Sequence, residues 1–98
     1  MCGNMQFSKV SGTKNDHKVA LYALSTCVWC KLTKQFLNEN NVEYEFVDVD
    51  LADEKDKQKI REIIQDKSGS VSYPTIIVDD KVVINGFRKD KLKEALEL

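Results

Sequence analysis

No stretch of this 98-residue chain is apolar for long enough to cross a bilayer. The run Val19-Ala20-Leu21-Tyr22-Ala23-Leu24 suffices for one short strand and no more. The basic, then apolar, then small-residue order of a signal peptide is also missing at the start, so a cytoplasmic location is expected. Charge of one sign is lacking too. Fifteen basic residues face sixteen acidic ones, for a net charge of −1, which predicts neither a nucleic-acid nor a membrane partner. Three cysteines are too few for a disulfide scaffold. Histidine and proline occur once each, as His17 and Pro74. There is no internal repeat and no low-complexity segment. What remains, 42% hydrophobic and 32% charged residues, predicts one soluble, monomeric domain with a modest core.

Residues 1–17 differ from the rest. They are polar and rich in small residues, with a short apolar patch around Met5, Phe7 and Val10. The expectation is a flexible N-terminal arm with one short docked element, followed by a domain over 18–98. Cys2 reads as an incidental exposed thiol, and His17 as a solvated residue at a strand entrance. Lys18 to Leu24 reads as a buried strand. Ser25-Thr26 breaks it and is placed to cap the next helix. Val28, Leu32, Phe36 and Leu37 repeat at helical spacing, and Asn40-Asn41 ends that helix. Val42 to Asp50 alternates at period two, a second strand, parallel to the first through a right-handed crossover. Leu51 to Asp66 reads as a charged helix with Ile60, Ile63 and Ile64 on one face. Lys67 to Ser70 reads as a loop. Thr75–Val78 and Lys81–Ile84 are β-branched runs around the hairpin signal Asp79-Asp80. Asn85-Gly86 turns the chain into a last helix from about Arg88. The order βαβ-α-ββα implies an α/β fold: a four-stranded mixed sheet flanked by three helices.

Cys27-Val28-Trp29-Cys30 lies where the first strand gives way to the first helix. A sulfur at a helix N-terminus meets unpaired N–H groups and the positive end of the dipole, which favour a thiolate. A second sulfur less than one turn on is close enough to attack a mixed disulfide made by the first. The same pair is also half of a zinc or iron–sulfur site, with Cys2, His17 or a second chain completing it. A second C-x-x-C is missing, which argues against a closed mononuclear site.

Taken with Pro74 ahead of the third strand and the Gly86 turn ahead of the last helix, this motif resembles the glutaredoxin branch of the thioredoxin-like fold. The resemblance covers about Lys18 to Leu98. It implies a dithiol–disulfide oxidoreductase with no cofactor and no resident metal, in which Cys27 is the nucleophile and Cys30 the resolving thiol. It also implies a cis Tyr73–Pro74 bond facing the thiols, with Tyr73, Pro74, Trp29 and Gly86 lining the substrate site.

Glutathione-using members typically carry C-P-Y-C, T-V-P, a basic residue before the first cysteine and a Gly-Gly pair near the last helix. This chain has Leu24-Ser25-Thr26 before Cys27, Ser72-Tyr73-Pro74, and Asn85-Gly86-Phe87-Arg88-Lys89-Asp90. The last segment resembles the G-F-R-P-D stretch of the redoxins that serve ribonucleotide reductase. That likeness implies protein disulfides as substrates, ribonucleotide reductase among them, and a thioredoxin-type reductase as electron donor. The alternative is a glutathione-dependent glutaredoxin with Lys31 or Arg88 supplying charge.

Overall fold

The structure, a computed structural model, describes residues 7–98. In chain order the elements are β1 (Ser8–Val10), β2 (Val19–Ala23), α1 (Val28–Glu39), β3 (Tyr44–Asp48), a 3-10 turn (Val49–Leu51), α2 (Glu54–Ser68), β4 (Thr75–Val78), β5 (Val82–Asn85) and α3 (Lys89–Leu96). Among the described residues one sheet holds all the strands, in the order β1-β3-β2-β4-β5. β2 runs parallel to β3, with Leu21 beside Phe46, and antiparallel to β4, with Leu21 opposite Ile76.

The apolar run of β2 serves both faces of the sheet. Val19, Leu21 and Ala23 join one core cluster with Phe36 and Leu37 of α1, and Leu92 and Leu96 of α3. Tyr22 points the other way, to Val47, Ile77, and Ile60 and Ile64 of α2. The period of two in a strand thus sends α1 and α3 to one face and α2 to the other. Each fully buried Leu or Ile contributes about 1.5–3 kcal/mol relative to exposure. No helix among the described residues is long and apolar enough to cross a membrane.

The sheet has five strands rather than the expected four. Ser8–Val10, inside the segment expected to form an arm, pairs antiparallel with β3. Ser8 and Lys9 are exposed, and only Val10 is partly buried, against the first core cluster. The strand forms because β3 offers an open backbone edge, which no side-chain period reports. Residues 1–6, with Cys2 and Met5, lie outside the described residues.

The second strand, expected over Val42–Asp50, spans Tyr44–Asp48 and passes into the 3-10 turn, and both ends of α2 move as well. Asp53 caps α2, its carboxylate accepting the Asp56 N–H at 2.9 Å, so Leu51 belongs to the preceding turn. The helix then runs through Ser68, into the stretch read as a loop, and ends where Gly69 adopts φ 83°. Between β4 and β5, Asp79 and Asp80 take φ 55° and 58°, and the Lys81 N–H donates to the Val78 carbonyl at 3.1 Å. Two left-handed central residues give the turn whose twist matches a hairpin.

The segment after β1 is clamped to the α1–β3 connection. Lys14 donates its N–H to the Asn41 carbonyl and accepts from the Glu43 N–H, both at 2.9 Å. Gly12 permits the approach: a Cβ there would collide with the Asn41 oxygen and stand 2.7 Å from the Val42 carbonyl carbon. Those atoms are backbone and cannot swing aside. Gly12→Ala should therefore lower the unfolding free energy by about 1–3 kcal/mol, read from urea titration. A midpoint equal to that of the parent chain would show that the segment is not held against the domain.

Candidate active site

β2 ends at Ala23, and a tight turn brings the Cys27 N–H to the Leu24 carbonyl at 3.2 Å. The expected capping role of Ser25 or Thr26 is corrected: Cys27 itself is the N-cap of α1. Its Sγ accepts the Cys30 backbone N–H at 3.4 Å, taking one of the donors that a helix start leaves unpaired. The first turn of α1 carries no acidic side chain that would compete for the same positive end.

The two thiols, neither in a disulfide, differ in depth. Cys27 is half-buried; Cys30 is fully buried, within the cluster formed by Leu21, Phe36 and Ile76. Burial pushes the Cys30 thiol up to about 12; the Leu24 N–H donating to its Sγ at 3.4 Å opposes this, and the bond to Cys27 adds to it. Lys34 also opposes the rise from a distance. Its ammonium lies 3.0 Å from Asp48 and 4.1 Å from the centre of the Phe46 ring.

Ser25 has a different task. Its N–H reaches Asp50 Oδ1 at 2.8 Å and its hydroxyl reaches Oδ2 at 2.5 Å. These two bonds hold the Asp50 carboxyl below the usual range. They also tie the turn before Cys27 to the 3-10 turn that follows β3. Sequence reasoning missed Asp50: the contact joins residues 25 positions apart, and an acidic residue ending an alternating strand looks ordinary.

The other expected site residues fall into two groups. The Tyr73–Pro74 bond is cis. Tyr73 packs against both core clusters, the first also flanked by Cys27, and burial raises its phenol, with Arg61 opposing and Cys30 adding. Pro74 is buried and its carbonyl accepts the Gly86 N–H at 2.8 Å, which joins the two segments. Gly86 takes φ 83°, a conformation that a side chain would strain. Trp29 stands apart: it is 59% exposed and Val28 is 64% exposed, so they form an apolar rim beside Cys27. His17 enters β2 at the end opposite to the thiols and does not join them as a metal ligand.

A Glutaredoxin family model matches residues 19–83. An uncharacterized glutaredoxin-like 8.6 kDa protein from a rubredoxin operon of Clostridium pasteurianum is 34% identical over 79 residues, covering 81% of this chain and 97% of its own. Among solved structures, a glutaredoxin from Methanosarcina mazei Go1 superposes with TM-score 0.87 at 37% identity, over 96% of this chain and 90% of that one. Methanosarcina acetivorans methanoredoxin gives TM-score 0.82 at 40% identity, over 86% and 88%.

The depth difference predicts selective alkylation. Iodoacetamide at pH 8 should modify Cys27 and spare Cys30, as mapped by peptide mass spectrometry of the reduced protein. Cys30 should respond only as pH approaches its value of about 12 or as the fold opens. Faster labelling of Cys30 than of Cys27 would reverse the assignment of roles.

Proposed function

The chain belongs to the glutaredoxin family, and from that premise we propose that it is a dithiol–disulfide oxidoreductase acting on protein disulfides. The observation that carries the reading is the pairing of a half-buried sulfur at a helix N-cap with a buried sulfur three residues on.

Cys27, as thiolate, attacks one sulfur of a substrate disulfide. A mixed disulfide forms and one substrate thiolate leaves. The Cys30 N–H directed at Sγ and an α1 first turn free of acid give the attacking sulfur a donor and no competing anion. Cys30 then attacks the Cys27 sulfur. The Cys27–Cys30 disulfide closes, the second substrate sulfur leaves, and the Cys30 proton passes to a released thiolate. Two electrons move to the substrate. Burial is the main reason the resolving thiol stays protonated, and while Cys27 is free its bond with the Cys30 S–H adds to that. Once Cys27 enters the mixed disulfide, that restraint is gone and the second attack is eased. The exposed Val28 and Trp29 offer apolar contact to a protein partner. Tyr73, Pro74 and Gly86 shape the opposite wall of the site, with backbone groups of Tyr73 available to an extended substrate segment.

Electrons come from a thioredoxin-type reductase rather than from glutathione. Glutathione recognition needs fixed donors for two carboxylates, because charged ends left unpartnered cost binding energy. Leu24 occupies the region where a basic residue would help. Phe87 follows Gly86 in place of a second glycine and is anchored edge-on against Phe36, with ring centres 6.2 Å apart. The Arg88 Nε donates to the Asn85 carbonyl at 3.1 Å, so this guanidinium is partly engaged by its own turn. The likeness of Gly86-Phe87-Arg88 to the ribonucleotide reductase redoxins points the same way.

Cys27→Ser should reduce turnover of a protein disulfide to the uncatalysed rate. Cys30→Ser should accumulate a mixed disulfide on Cys27, visible by mass spectrometry without reductant. Loss of turnover with no trapped adduct in Cys30→Ser would count against the resolving role.

The donor is tested by steady-state reduction of one disulfide substrate, with NADPH and either thioredoxin reductase or glutathione plus glutathione reductase. Turnover should be at least about tenfold faster with the thioredoxin system, about 1.4 kcal/mol in transition-state terms. Equal or faster turnover with glutathione would restore the ordinary glutaredoxin reading.

A further inference from the structure

Three elements gather ionisable side chains at the end of β2 away from the thiols. His17 precedes the strand, Asp79 sits in the β4–β5 turn, and Glu97 caps α3. His17 Nδ1 is 2.7 Å from Asp79 Oδ2. Its Nε2 is 3.0 Å from Glu97 Oε1 and 3.7 Å from Asp16 Oδ2. Backbone bonds hold the frame. The Lys18 N–H donates to Asp79 Oδ1 at 2.8 Å, and the Asp79 N–H donates to the Lys18 carbonyl at 2.8 Å. Asp16 turns its other oxygen, Oδ1, to Lys14 at 3.4 Å, leaving Oδ2 toward the imidazole. The ring itself is only 18% exposed, so its position is set by packing.

The geometry points to Asp16, His17 and Glu97 as the ligands of a divalent first-row transition ion, Zn²⁺ being the ordinary case, with Asp79 as the group that orients the imidazole. Spacing is the first argument. Donors about 2.0–2.2 Å from a tetrahedral ion stand roughly 3.3–3.6 Å from one another. The three ligand atoms here all lie within 4.8 Å of each other, with the Nε2 pairs at 3.0 and 3.7 Å on either side of that range. The third pair, Asp16 with Glu97, is bounded by the same 4.8 Å, and both carboxylates are exposed on the surface.

Orientation is the second argument. An Nδ1–H directed at a carboxylate leaves Nε2 as the donor and makes it more basic, the arrangement that supports metal-bound imidazoles. Surroundings are the third. The cluster borders a cavity of about 500 Å³ that Glu43 and Glu45 also line. Lys9 and Lys18 line it too, but Lys9 is paired with Glu43 at 3.5 Å and Lys18 with Asp80 at 3.6 Å, so Asp16, Asp79 and Glu45 leave the wall net acidic, and the space admits the waters that complete the shell. One imidazole nitrogen with two carboxylates suits Zn²⁺ or Co²⁺ above Mg²⁺ or Ca²⁺, which prefer oxygen alone. On binding, the ion takes the place of the Nε2 proton, and one proton is released. The site is separate from the thiol chemistry and does not depend on it.

The test is calorimetric titration of Zn²⁺ into the full chain carrying Cys2→Ser, Cys27→Ser and Cys30→Ser, so that no sulfur binds. One ion per chain is expected. His17 is the only imidazole, so a single pair of side-chain nitrogen resonances reports the site. Nε2 should shift while Nδ1 keeps its proton. His17→Gln should abolish binding, Glu97→Gln should weaken it about tenfold or more, and Asp79→Asn should weaken it about 10–100-fold. Mg²⁺ at the same concentration should produce no shift. The proposal fails if no heat appears up to about 1 mM Zn²⁺. It fails equally if binding persists unchanged in both His17→Gln and Glu97→Gln, or if Nδ1 rather than Nε2 moves.

Discussion

Strand β2 contributes to the cores on both faces of the sheet, and that double burial sets where the chain can enter and leave. Leu21 is sealed under α1 and α3, while Tyr22 is sealed against α2. A slip of one residue would exchange these faces, so the register of β2 is strongly held. With the register held, Cys27 must emerge at one end of the strand and His17 must enter at the other. The thiol pair and the carboxylate–imidazole cluster are thus distant products of one constraint.

At the thiol end, burial separates two chemically identical side chains into two environments. Cys30 sits in the apolar cluster and its thiolate is costly there; Cys27 sits at the rim, where the helix start supplies a donor. The turn between strand and helix is kept in place from outside, by the bonds from Ser25 to Asp50 in the 3-10 turn after β3. On the other side, Tyr73 touches both cores and the Pro74 carbonyl holds the Gly86 turn. The site is therefore assembled from four segments that share no local sequence relationship.

How much of this could be read from the sequence varies by residue. The apolar run at Val19–Leu24, the helical stripe at Val28–Leu37 and the β-branched runs around Asp79-Asp80 correspond to β2, α1, β4 and β5. Their signals are burial patterns, and burial is what the tertiary structure rewards. Ser8–Val10 carries no such pattern; it is a strand because an edge was open. Ser25 and Thr26 have the composition of caps, yet the cap is the cysteine, because the chain needs two further residues to turn from the sheet. α2 continues past Asp66 because Gly69, with its left-handed φ, sets the end.

The chemistry is written locally: which residues are thiols, their spacing at a strand-to-helix junction, and the alternation that makes β2 a two-sided strand. Neighbouring residues and the period of the backbone are enough to carry these properties. Folding alone settles which sulfur is deep and which is accessible, that Asp50 steadies the turn, and that Asp16, Asp79 and Glu97 converge on His17. Those outcomes depend on contacts across as many as 80 residues. Burial and electrostatic coupling act through space, and distance along the chain carries no record of them.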